Sequence, residues 1–198
     1  MSSNAVLRPL ILASTSRYRA ALLNRIGLPF EARNPTVDES EIPGEPPRAR
    51  ATRLAGAKAD AFAQQFPDAV VIGGDQVAAA HGTLLNKPGN AANCREQLKL
   101  LSQSNADFYT AVAVRCAATN LKVAHVDTTI VRMRALSDAE IDRYIEREQP
   151  FDCAGGFKAE ALGITLFERM DSEDPTAIVG MPLIWLSSAL RSAGYSVP

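Results

Sequence analysis

Five cations and two acids stand where a polyphosphate chemistry would want them. Arg17 and Arg19 fall in Leu10–Leu23, LILASTSRYRAALL, which reads as a short apolar strand, a hydroxyl-rich turn and an amphipathic helix. A helix N-terminus carries partial positive charge and favours acids over cations. Two arginines beside unpaired backbone N–H groups and the hydroxyls of Ser14 and Ser16 make a site that lacks an anion, and a phosphate chain would supply it. The same residues also read as an ordinary serine N-cap with both arginines in solvent.

Lys58, Lys87 and Lys158 are the other candidate phosphate cations. Lys58 shares a helical face with Leu54 and Ala55, so its ammonium must either snorkel to water or meet an anion. Lys87 sits in a loop before Pro88, and Lys158 lies among glycines and small residues with Glu160 two positions on. Asp75 is the more informative acid. It follows the apolar run Ala69–Ile72 and two glycines, which places it at a strand's C-terminal end, where ligands of open α/β sheets bind. The glycines are read as letting a ligand or metal approach the backbone. Glu39 lies in the acidic loop Val37–Ser40. Two carboxylates with one or two phosphates suit Mg²⁺ or Mn²⁺, which prefer oxygen ligands. Each of these residues also has a plain reading, as a turn cap or a solvated side chain.

The elements that must position them follow from periodicity. Strands are expected at Leu7–Ala13, Phe30–Arg33, Ala69–Ile72 and Val77–Ala80, and a long hairpin at Asp107–Ala118 and Leu121–Met133, turning at Thr119-Asn120. Helices are expected at Ser16–Ile26, Arg48–Phe66 and Ala91–Leu101. Ser137 and Glu140 form a capping box that opens another helix, ending near Glu148. A last helix runs from Pro182, as its first residue, to Ala193. Arg50, Arg53 and Asp60 fall off the apolar face of their helix and read as solvated. Asn34–Pro47, with four prolines and four acidic residues, is a loop, and Phe151–Leu166 is irregular.

A sequence that is 46% hydrophobic and 22% charged supports a sizeable core in one domain spanning 1–198. A net charge of −1 argues against long nucleic acid. Three widely spaced cysteines without a CxxC pair suggest neither zinc nor a disulfide framework, but reduced thiols in the cytoplasm. Met1–Asn4, without a basic stretch before a long apolar run, is not expected to open a signal peptide, and no apolar run reaches membrane-spanning length. There is no GxxxxGK[ST], GxGxxG or GxSxG motif. The residues by themselves lead as far as a polyphosphate-binding α/β domain.

Six stretches, in order along nearly the whole chain, resemble the Maf family of nucleoside triphosphate pyrophosphatases. They are Leu10–Leu23, Val37–Glu39 (VDE), Ala57–Ala59 (AKA), Ile72–Gln76 (IGGDQ), Asn86–Pro88 (NKP) and Cys153–Glu168 (CAGGFKAEALGITLFE). Gln76 after Asp75, and the FKAE segment, are most similar to the YceF-type branch, which acts on 7-methyl-GTP. The resemblance implies an α/β, Maf/ITPase-like fold: a mixed twisted sheet flanked by helices, with a nucleotide-binding cleft between two lobes. It implies Asp75 as the proton acceptor that activates water, and Tyr18, Gln76 and Glu160 as the residues that tune base choice. Ser14, Arg19, Lys58 and Lys87 hold phosphates on this reading, Lys158 joins them in the branch-specific segment, and Glu39 sits with Asp75 near a divalent metal, Mg or Mn. A homodimer is implied as well.

The family usually has proline at Arg17, arginine at Ala20 and often glycine at Asn86, and the branch usually has tryptophan at Tyr18. Tyr18 still offers an aromatic face to a positively charged 7-methylguanine. Two other readings stay open on the sequence: a nucleotide-binding regulator of septum formation with little catalysis, and a pyrophosphatase for another nucleotide such as dTTP or UTP.

Overall fold

A computed structural model describes residues 7–198 of the chain. Met1–Asn4, read above for a targeting signal, lie outside the described residues. In chain order the elements are β1 (Leu10–Ala13), α1 (Arg17–Asn24), β2 (Glu31–Arg33), α2 (Pro47–Ala63), β3 (Val70–Ala80), β4 (Thr83–Leu85), α3 (Ala91–Leu101), β5 (Asn105–Cys116), β6 (Leu121–Met133), α4 (Asp138–Glu148), β7 (Phe167–Asp171) and α5 (Leu183–Ser192). Seven strands form one mixed sheet in the order β2-β1-β3-β5-β6-β7, with β4 added to β3. This is the α/β architecture with flanking helices that the sequence predicts.

Side-chain alternation along the strands assigns each face its helices. On one face Leu10, Leu12, Val70, Ile72, Val112 and Val114 pack with Leu22 and Leu23 of α1 and Leu186 and Leu190 of α5. On the other, Ile11, Ala13, Val71, Ala111 and Ala113 pack against Ala51, Ala55 and Ala59 of α2. Further along the same strands Ala78, Phe108, Val131 and Met133 pack with Leu98 of α3 and Ile141 and Tyr144 of α4. Two groups of helices therefore share one sheet.

The gap between them has a definite cause. β1 runs parallel to β3 and stops at the pair Ala13↔Gly73. β4 takes the same edge of β3 only from Ala78↔Leu85 onward. Residues 74–77 of β3 are thus paired on the β5 side alone, from Gly74↔Val112 to Val77↔Tyr109.

β3 does not end at Ile72 but runs unbroken through Gly73, Gly74 and Asp75. The strand end that opens the crevice belongs to β1. Nor do the two glycines make room for a ligand. A Cβ on Gly73 would lie 2.3 Å from the Ala55 carbonyl oxygen and 2.5 Å from the Ala59 nitrogen, so Gly73 lets α2 approach the sheet. A Cβ on Gly74 would come within 3.2 Å of the Arg19 side chain. Pro182 is the N-cap of α5 rather than its first residue. β4, which pairs with β3, and β7, which pairs with β6, are strands that the sequence does not predict. The Ser137–Glu140 capping box is present, and the β5–β6 hairpin turns through Asn120 in a left-handed conformation.

Candidate active site

A cavity of about 770 Å³ opens at the unpaired stretch of β3. Ser14, Tyr18, Glu39, Lys58, Asp75, Gln76, Lys87 and Glu160 all line it, as does Arg19. Of the side chains singled out in the sequence, Lys158 is the exception. Its ammonium turns onto Glu148, 2.8 Å from the carbonyl oxygen and 3.0 Å from Oε1, and both side chains are largely buried. The expected phosphate contact of Lys158 gives way to an ion pair that ties the irregular segment to the end of α4.

At the centre lies Lys58. Its neighbours Ala51, Leu54, Ala55 and Ala59 bury one face of α2, and Lys58 goes in with them. It meets anions rather than snorkelling. Its Nζ donates to Asp75 Oδ1 at 2.7 Å and lies 2.8 Å from Glu39 Oε1. Alternation along β3 aims Asp75 at the α2 face, while Gln76 points to the other face. Among the described residues no hydrogen bond reaches Asp75 Oδ2.

Glu39 owes its place to arginines that had read as solvated. Arg53 grips Glu45 with two hydrogen bonds of 2.6 and 2.7 Å and donates to the Ser40 carbonyl oxygen. Arg50 donates to the Glu39 carbonyl oxygen and pairs with Glu41. The acidic loop is thereby stapled along α2. Asp60 is paired too, with Arg115 at 2.9 Å. Neither arginine is a local signal in sequence, because each partner lies in a loop without periodicity.

The turn between β1 and α1 separates its two arginines. Ser16 is the N-cap and accepts from the Arg19 amide. Arg19 Nε donates to the Gly180 carbonyl oxygen at 3.0 Å, and Nη1 to Ser14 Oγ at 3.3 Å. Burial pulls the Arg19 guanidinium below its usual range, and the charges of Asp75 and Glu39 oppose that pull. Arg17 instead donates from Nη2 to the Tyr18 hydroxyl at 2.8 Å and to Asp152 Oδ2 at 3.1 Å. Tyr18 in turn donates to Asp152, and the Cys153 thiol donates to Tyr18. Burial pushes the Tyr18 hydroxyl well up and the Cys153 thiol up to about 11, so both stay protonated at neutral pH. Sequence reasoning missed Asp152, which joins Arg17 from 135 positions away.

Gln76 is fixed by a loop. Its Nε2 donates to Thr110 Oγ1 and to the Ala177 and Ile178 carbonyl oxygens. That loop is held by buried Asp174, which accepts from the Thr176 amide and hydroxyl and from the Ile184 amide. Lys87 lines the cavity, and among the described residues it has no hydrogen bond or ion pair.

The chemistry of this donor set is specific. Asp75 and Glu39 converge on one ammonium, so their oxygens can converge on one cation, and an all-oxygen pair suits Mg²⁺ or Mn²⁺. Among the described residues no group of three or more His, Cys, Asp or Glu gathers, so phosphate and water oxygens would have to complete such a shell. Among the described residues no helix is long and apolar enough to cross a membrane.

Fold and cleft together describe an α/β domain built around a large cavity lined by cations and acids. The chain belongs to the Maf family: the model of the Maf-like protein family matches residues 9–193. Its relatives include the 7-methyl-GTP pyrophosphatase of Aromatoleum aromaticum, 50% identical over 96% of this chain and 97% of that protein. The protein of the same name from Xanthomonas axonopodis pv. citri is also 50% identical, over 96% of this chain and 98% of its own length. That of Polaromonas sp. is 48% identical over 96% of this chain and 87% of the relative.

Proposed function

We infer that the chain is a nucleoside triphosphate pyrophosphatase that hydrolyses 7-methyl-GTP to 7-methyl-GMP and diphosphate. Relatives of that name, about half identical over nearly the whole chain, support the substrate. The observation that carries the chemistry is the state of Asp75. One of its oxygens is held by Lys58, and the other has no hydrogen bond among the described residues. A general base needs a free lone pair within reach of the attacking water. Asp75 Oδ2 takes the proton, the water oxygen bonds to the α-phosphorus, and the α–β bridging bond breaks to release diphosphate.

Arg19, Lys58, Lys87 and Ser14 would bind the phosphate chain. Charge develops on the leaving diphosphate, and cations already anchored in the cleft, Arg19 and Lys58, would stabilise it with little reorganisation. Asp75 and Glu39 would hold a divalent cation, which neutralises phosphate charge and orients the attacking water when bound. Glu160 and the Oε1 of the tethered Gln76, which line the cavity, would accept hydrogen bonds from guanine, and Tyr18 would offer its ring. A cytoplasmic setting agrees with three free cysteines. The homodimer implied by the family likeness is checked by light scattering coupled to gel filtration.

The decisive assay is diphosphate release from 7-methyl-GTP by Asp75→Asn against wild type, with Mg²⁺ or Mn²⁺. General-base removal predicts a fall of about 10²–10⁴-fold in kcat. Turnover close to wild type would remove Asp75 from the mechanism.

A further inference from the structure

We propose that Tyr18 and Asp152 form a cation box that reads the positive charge of an N7-methylated guanine, and that Arg17 is its internal occupant. The inference rests on the 7-methyl-GTP reading above. Arg17 Cζ lies 4.9 Å from the centroid of the Tyr18 ring, while its Nη2 is 3.1 Å from Asp152 Oδ2. A planar, delocalised cation thus lies over an aromatic ring and is held by a carboxylate. N7-methylation turns the imidazole half of guanine into a planar, delocalised cation of the same kind. Unmethylated guanine has no such charge.

The box is built rather than incidental. The Tyr18 hydroxyl meets Arg17, Asp152 and Cys153 at once, which fixes the ring. Asp152 and Cys153 both line the cavity, on the segment that also carries Glu160. Its occupant is easily exchanged, because the Arg17 side chain is 71% exposed. The other arginine on α1, Arg19, turns away to Ser14 and Gly180. The box and the group of Ser14, Arg19 and Lys58 therefore lie on the same cleft, one reading the base and the other gripping phosphate. Arg17 competes with the base for the box.

The test compares 7-methyl-GTP with 7-methyl-7-deaza-GTP, which keeps the methyl group and the shape but has no charge. Wild type, Asp152→Asn and Arg17→Gln are assayed for diphosphate release, and the ratio of kcat/KM between the two substrates is taken. Asp152→Asn should lower that ratio about fivefold, the factor for ~1 kcal/mol between a half-exposed carboxylate and a cation. Arg17→Gln should raise it, through a lower KM for 7-methyl-GTP. Equal use of both substrates by wild type, or an unchanged ratio in Asp152→Asn, would overturn the cation box. An equal rise in KM for both substrates in Arg17→Gln would mark Arg17 as a phosphate ligand and overturn its role as competitor. The substrate reading fails separately, if wild type does not prefer 7-methyl-GTP to GTP.

Discussion

Replacing Lys58 by methionine removes the cation that two carboxylates share while keeping a side chain of similar length. The two contacts differ in weight. The Glu39 side chain is 56% exposed, so water screens that contact and it contributes little. Asp75 and Lys58 are 11% and 9% exposed, so the Asp75 contact decides the outcome. Taking one partner from a buried pair costs about 3–5 kcal/mol, mostly for the charge left behind. Asp75 faces the cleft and feels the charge of Arg19, which puts the expected loss at the low end, ~3 kcal/mol. In a chain of this length each kcal/mol moves Tm by about 2–4 °C, so Lys58→Met should melt roughly 6–12 °C below wild type. The double variant Lys58→Met/Asp75→Asn leaves no stranded charge and should recover at least half of that loss. Scanning calorimetry at neutral pH reads both values. A double variant as unstable as Lys58→Met would refute the argument from a stranded carboxylate, and so would a Lys58→Met protein as stable as wild type.

Three further outcomes follow from the geometry. Gly73→Ala forces a methyl group into the backbone of α2 at 2.3 Å, so urea unfolding should show a loss of about 3 kcal/mol. Asp174→Ala frees the loop whose carbonyls hold Gln76 and Arg19. KM for nucleotides should rise severalfold with a smaller change in kcat, and an equal fall in kcat would place the effect elsewhere. Asp127 is 2% exposed, and its Oδ2 lacks a partner among the described residues. Burial, only partly offset by hydrogen bonds from Ser172 and Thr129, raises its carboxyl above the ordinary 3.8. The folded state then holds the proton more tightly than the unfolded one, and stability is lost as pH rises through the raised value. Asp127→Asn should therefore raise Tm at neutral pH, and the gain should vanish once the pH falls below 3.8.

What the sequence disclosed, and what it hid, divides by range. The capping box of α4 and the long hairpin are written in residues a few positions apart, and both are present. Lys58 was legible because a lysine on an apolar helical face needs a partner, although nothing local said that Asp75 would be it. Glycines after an apolar run look like a strand end, so the sequence predicts a break where β3 runs on. Only the packing of α2, remote in sequence, explains Gly73. Only its small neighbours point Lys158 toward phosphate, while its partner Glu148 sits at the end of a helix ten positions earlier. Arg50 and Arg53 looked idle because their partners lie in an aperiodic loop. The pairing of Arg17 with Asp152 crosses most of the chain, and no spacing rule reaches that far.

The three long strands carry a mechanical consequence. β3, β5 and β6, of eleven, twelve and thirteen residues, each run from one helix group to the other without a break. They act as beams laid side by side, alternating in direction, across the crevice floor. Among the described residues the halves have no linker to swing on, and rotating one against the other would mean bending all three beams at once. The span between the phosphate-gripping end and the base-reading end is thereby set by the rise of an extended chain, about 3.3 Å per residue. A nucleotide meets a gauge of fixed length, and the entropy of fixing that length is lost when the chain folds, not when the ligand arrives.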